Sequence, residues 1–197
     1  MSESETQGRR KVVQYGRSMP VSADGTHAQP EPQAFGLGNL PVYSAEVEGE
    51  PLPQAFRVAT ALLAQGRSDY VLAATDRLQV VIKCYASGGE NYLHTHEAED
   101  HVFIIMDGEA TFQDPDGHKT TLTKYQGILL QRGAFYKFTS STEKPLVLLR
   151  VSATTVQPRV VDSRKWWPGE VDDRDQRIVP QVIEGQFFAA ESALPGR

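Results

Sequence analysis

The chain has 197 residues, 40% of them hydrophobic and 23% charged, with 20 Lys plus Arg against 25 Asp plus Glu and a formal charge of -5 at pH 7. One core of ordinary domain size fits that length; no apolar run approaches the ~18 residues of a membrane-crossing helix, and the acidic balance argues against nucleic acid as a partner. The single cysteine, Cys84, excludes an intrachain disulfide framework and a multi-cysteine metal site, and the polar start MSESETQGRR lacks the apolar stretch of a secretory signal, so a soluble cytoplasmic protein with no membrane partner is expected.

Residues 1–41 are rich in Ser, Gly, Pro and Gln and read as an N-terminal arm without a core of its own. A β-barrel is expected over 42–153. Val42 to Val47 suits a short strand, while Gln54 to Gln65 fits either helix or strand, with strand preferred. Further on, short β-rich runs alternate with turn residues: Leu78 to Ala86, His101 to Met106, Glu109 to Gln113, Thr120 to Lys124, Gly127 to Gln131, Ala134 to Thr139 and Pro145 to Ala153. That spacing indicates a sandwich or barrel. Asp114-Pro115-Asp116-Gly117 reads as a hairpin tip, because Pro presets φ and Gly accepts positive φ. His101 to Met106 and Leu146 to Leu149 are apolar at both parities, so both faces of those strands need cover. One face can line the barrel; the other needs a second layer, a tail or a partner subunit, and on that ground a homodimer is expected. Residues 154–197 carry Trp166, Trp167, Phe187 and Phe188, too apolar for a free tail, and read as a C-terminal extension packed on the barrel or on a partner.

Three of the five histidines, His94, His96 and His101, fall within eight residues. On a strand, residues two apart point the same way, so His94 and His96 present both imidazoles to one side. Glu97 to Asp100 are polar enough for a turn, after which His101 opens an apolar strand on the parity of Phe103 and Ile105. Three converging imidazoles suit a divalent transition metal and leave positions open for water or substrate. The bland alternative is hydrogen bonding in a loop, or core histidines without a metal.

The sequence resembles the cupin superfamily. Its first motif, Gly, five residues, His-x-His, three or four residues, Glu, six residues, Gly, is matched by Gly88, His94, His96, position 101 and Gly108, with His101 standing where the family has Glu. The second motif is matched loosely. Gln131-Arg132-Gly133-Ala134-Phe135-Tyr136 keeps the Gly and the spacing, with Gln131 for Pro and Tyr136 for the fourth ligand His, and Tyr125 occupies the place of that motif's leading Gly. The resemblance covers roughly 78 to 153. It implies an all-β fold, a cupin-type double-stranded β-helix or jelly-roll barrel with N- and C-terminal extensions, holding a metal through His94, His96 and His101.

Three neutral imidazoles would leave the ion's charge uncompensated, which favours an anionic or enolisable small-molecule substrate. Tyr136 is the candidate catalytic residue, as a hydrogen-bond donor, a phenolate ligand or a packed aromatic. Lys83 and Arg150 could hold an acidic substrate inside the barrel, although exposure is the default for both. Glu99 or Asp100 is the substitute ligand should His101 point away. Cys84 reads as a buried inert thiol, His118 as solvated, His27 as part of the arm, and Trp166-Trp167 as packing or a cover for the barrel mouth. The leading reading is an Fe(II) dioxygenase, with Zn, Mn or Ni as alternative ions. A Lewis-acid isomerase or lyase, and a non-enzymatic ligand-binding protein, are the competing readings.

Overall fold

The computed structural model describes residues 58–75, 77–87, 91–141, 143–155, 163–170 and 179–189. The expected arm 1–41 and the strand Val42 to Val47 lie outside them, as do His27 and Gly88. The described residues contain strands and no helix: β1 (Ala59–Gln65), β2 (Arg67–Ala74), β3 (Leu78–Tyr85), β4 (Asn91–His96), β5 (Glu99–Asp107), β6 (Glu109–Gln113), β7 (Lys119–Thr123), β8 (Gly127–Leu130), β9 (Tyr136–Ser140), β10 (Leu146–Thr154), β11 (Arg164–Trp166) and β12 (Gln181–Ala189). No helix among the described residues is long and apolar enough to cross a membrane.

Two five-stranded sheets, in the orders β2-β3-β10-β5-β8 and β11-β4-β9-β6-β7, form the jelly-roll barrel, and β1 and β12 make a separate two-stranded ribbon. All the strand pairings are antiparallel. Inside the barrel, Tyr85, Phe103, Ile105, Phe112, Phe138, Leu146 and Leu148 form the main apolar cluster, with Tyr85 and Phe138 edge to face at 4.9 Å. Each such side chain, taken fully out of water, contributes roughly 1.5–3 kcal/mol.

The runs that are apolar at both parities have the cover they require. Leu146 and Leu148 point into the barrel, whereas Val147 points outward into a second cluster with Leu63, Tyr70, Ile82, Cys84 and Ala86, against which Met106 and Phe188 also pack. The outer layer is the chain's own ribbon, since β1 pairs with β12 in the register Thr60 with Phe188. The strand preferred for Gln54 to Gln65 is therefore present over Ala59–Gln65, and Phe188 of its partner β12 packs against the outer cluster. Cys84 is fully buried in that layer, where burial pushes its thiol up to about 12. β2 is a strand that the polar opening Arg67-Ser68-Asp69 concealed.

Two turn positions explain the glycine pattern. Gly108 has φ +81°, and a Cβ there would stand 2.9 Å from the Pro145 carbonyl oxygen, so no side chain fits where β5 turns into β6. Gly117, at the Asp114 hairpin tip, has φ +87° and donates its N–H to the Asp114 carbonyl. Tyr125 has φ +68°, alone among the described non-glycine residues in this region. It stands where the resemblance places the second motif's leading Gly, and its φ lies in the region that favours glycine. Tyr125→Gly is accordingly expected to raise stability by about 1 kcal/mol, read as a higher urea midpoint at unchanged slope. The ring is largely exposed and contributes little burial to oppose that gain.

Candidate metal centre

β4 lies between β11 and β9, with His94 paired to Trp166 on one side and to Tyr136 on the other. Because residues two apart share a face, His94 and His96 both line the barrel cavity, their rings 5.3 Å apart. β5 alternates strictly, with Glu99, His101, Phe103 and Ile105 buried and Asp100, Val102 and Ile104 half-buried between them. The His101 ring lies 4.3 Å from that of His96. All three predicted imidazoles thus form one continuous buried row.

The structure corrects one part of the expected layout. The strand begins two residues before His101, so Glu99 belongs to the inward parity and not to a polar turn. Its Oε2 lies 3.0 Å from His101 Nε2. The ligand atoms of His96, Glu99 and His101 all lie within 4.8 Å of one another; the other such group among the described residues, Asp114, Asp116 and His118, sits at the exposed hairpin tip. Asp100 points elsewhere, its carboxylate accepting the Arg132 N–H at 2.8 Å. Next to it the Gly133 N–H donates to the His96 carbonyl, which ties the β8–β9 loop to the centre.

These residues suit a divalent ion. Burial pulls His94 down to about 3 and His101 down to about 4, and holds His96 well below the usual imidazole range, so all three are neutral donors at pH 7. A neutral His94 whose Nδ1 lies 2.7 Å from the Tyr92 carbonyl oxygen donates through that nitrogen and keeps the Nε2 lone pair for an ion, the usual orienting contact behind a metal-bound imidazole. Two adjacent donors on one ion, each about 2.1 Å from it and at right angles, stand about 3.0 Å apart. The His101–Glu99 separation fits that spacing.

Residues 81–152 match the family model for the cupin domain. The chain contains a cupin domain. Similar solved structures include a double-stranded β-helix protein of Klebsiella pneumoniae subsp. pneumoniae MGH 78578, with 21% identity over 45% of this chain and 77% of that one at a TM-score of 0.41. KdgF from Halomonas sp. has 18% identity over 48% and 81%, TM-score 0.41. A cupin-like protein from Thermotoga maritima has 16% identity over 52% and 77%, TM-score 0.44. No curated protein matches the sequence.

Within the cupin barrel, Tyr136 sits beside the histidines, its ring 4.7 Å from His94. Burial raises its phenol above the ordinary tyrosine range, so it keeps its proton at pH 7. The Trp166 ring lies tilted 5.4 Å from that of His94, with the Arg164 guanidinium 5.6 Å from its centroid, and Trp167 meets Phe135. Trp166 thus flanks the centre, and Trp167 does not reach the histidines through any ring contact among the described residues.

The cavity beyond the histidines is cationic. Arg67, Lys83, Arg150 and Arg164 line it, against the carboxylate of Asp69. Lys83 and Arg150 are 5% and 6% exposed, which corrects the default of solvent-facing positions. Lys83 Nζ contacts Asp69 Oδ1 at 2.7 Å, while Arg67 bonds to Asn91 and Arg150 Nη2 to Gln79 Oε1 at 2.8 Å. Burial by itself would raise Asp69, but Lys83, Arg67 and Arg150 outweigh it and hold the carboxyl well below its usual range. Burial lowers Lys83 to about 7 despite Asp69. Sequence reasoning missed Arg67, Asp69 and Arg164 and placed Glu99 in a turn. Glu99 also changes the charge argument: the imidazole row has a carboxylate beside it, so the positive charge at the site comes from the four cations lining the cavity.

Proposed function

We propose that the cupin domain is a metal-dependent enzyme acting on a small anionic or enolisable substrate, with Fe(II)-dependent dioxygenation as its reaction. The observation that carries this reading is the buried group of His96, Glu99 and His101, with His94 beside it, opening on a cavity lined by four cations. Bound iron would supply neighbouring coordination positions for a chelating substrate and for dioxygen. The residues of the chain do the rest: the guanidinium and ammonium groups attract and orient the anion, Phe103 and Phe138 keep water from the reacting atoms, and the protonated Tyr136 hydroxyl donates to a developing oxyanion.

The test is oxygen uptake by the Fe(II)-loaded protein, made up anaerobically, against short hydroxy acids, keto acids and diketones. Uptake that depends on substrate supports the proposal. Turnover without oxygen by the Zn, Mn or Ni form would replace it with Lewis-acid isomerase or lyase chemistry, and binding without turnover by any form would make the domain a ligand-binding protein. Tyr136→Phe is expected to keep its metal, measured by elemental analysis, while kcat falls roughly 100-fold, the loss typical of a single oxyanion donor. Loss of metal instead would make the phenol oxygen a ligand.

A further inference from the structure

Arg150 is a buried cation whose fork is only half used. Its Nη2 donates to Gln79, yet Nε is buried without a hydrogen-bond partner, and the side chain lines the cavity. A buried guanidinium loses its hydration and needs an acceptor to offset that loss. The buried carboxylates among the described residues are Asp69 and Glu99; the first is in contact with Lys83 and the second with His101. The planar fork of Nε–H and an adjacent Nη–H matches the two oxygens of a carboxylate.

Register places this fork relative to the centre. On β10, Ser152 pairs with His101 and Arg150 pairs with Phe103, so Arg150 lies one inward rung, about 7 Å along the strand, from the histidine. The next inward rung holds Lys83, paired with Leu148, and its partner Asp69. A cavity of about 30 Å³ lies among these side chains. That volume leaves room for a carboxylate beside Arg150.

We infer that Arg150 forms a carboxylate subsite separate from the metal ligands, so that the substrate is a small acid whose carboxylate sits on Arg150 while a second oxygen group, a few bonds away, faces the histidines. The identification of a substrate rests on the enzymatic reading above; the anion subsite itself does not, because it needs no metal.

The experiment is calorimetric titration of the metal-free protein with malonate, with neutral malonamide as control. Wild type is expected to bind malonate and not malonamide. Arg150→Gln and Arg150→Lys, each confirmed as folded by its thermal melt, are expected to bind at least about tenfold more weakly, because the lysine keeps the charge and loses the fork. Equal binding by the folded Arg150→Lys protein, or equal binding of malonamide, overturns the subsite, as does the absence of malonate binding to folded metal-free wild type. A protein that binds malonate through Arg150 but turns over no substrate in any metal form keeps the subsite and loses the enzymatic reading.

Discussion

Alanine at His96 or His101 is expected to lower the affinity for a divalent ion by on the order of 100-fold or more, since even the partners behind metal ligands are worth about 10- to 100-fold. Both rings are buried in one row, 4.3 Å apart, and burial keeps them neutral. Removing either leaves two of the three clustered donors, His96, Glu99 and His101, to hold the ion. Titration of the metal-free proteins with Zn²⁺ in competition with a chromogenic chelator reads the effect. Glu99→Gln separates a carboxylate that meets the ion from one that merely bonds to His101. A loss comparable to that of the histidine variants makes it a ligand, while a loss confined to about tenfold makes it a neighbour that orients the ring. His94→Ala tests the third imidazole in the same way, and Asp114→Ala at the exposed hairpin tip should leave the affinity unchanged. Full affinity in His101→Ala would remove that residue from the ligand set.

Much of this centre is legible in the sequence because its logic is periodic. His94 and His96 share a parity, and His101 shares one with Phe103 and Ile105, so strand geometry alone aims the imidazoles inward. The turns are legible for the same local reason: the Asp-Pro-Asp-Gly tip and Gly108 each meet a backbone demand visible in a few residues. Glu99 was legible only as a substitute ligand, because composition masked its place on the strand. Glu97-Ala98-Glu99-Asp100 looks like solvent-facing loop, and only the pairing of Thr154 with Glu99 extends β5 backward and turns the carboxylate in. The cationic wall is hidden more deeply. Arg67, Asp69, Lys83, Arg150 and Arg164 come from four strands and would each be placed in water by residue type. The tertiary register, which sets Asp69 opposite Lys83 and Arg164 opposite His96, is what brings them together, and no local pattern encodes it. The need for cover on Leu146 to Leu149 was legible, but its source was not, since the β1–β12 ribbon joins segments more than a hundred residues apart.

Asp69→Asn is expected to destabilise the protein by about 3–5 kcal/mol, the usual cost of breaking a buried ion pair from one side. The substitution leaves Lys83 buried with Arg67 and Arg150 close by and no anion against it. Lys83→Met should cost less, because Asp69 keeps those two arginines. A double variant with apolar residues at both positions should recover most of the loss, which separates the net worth of the pair from the penalty of an orphaned charge. Urea unfolding at constant slope measures all three. The pH dependence has a defined sign. Lys83 has its proton affinity lowered from 10.5 to about 7 by burial, so between those values the unfolded chain binds a proton that the native protein does not, and stability rises with pH across that window. The slope is at most about 1.4 kcal/mol per pH unit. Lys83→Met should abolish this rise while leaving any acid loss below the ordinary carboxylate range, where Asp69 takes up its proton. An Asp69→Asn protein as stable as wild type would mean that water reaches Lys83, and with it the interior that the anion on Arg150 would have to share.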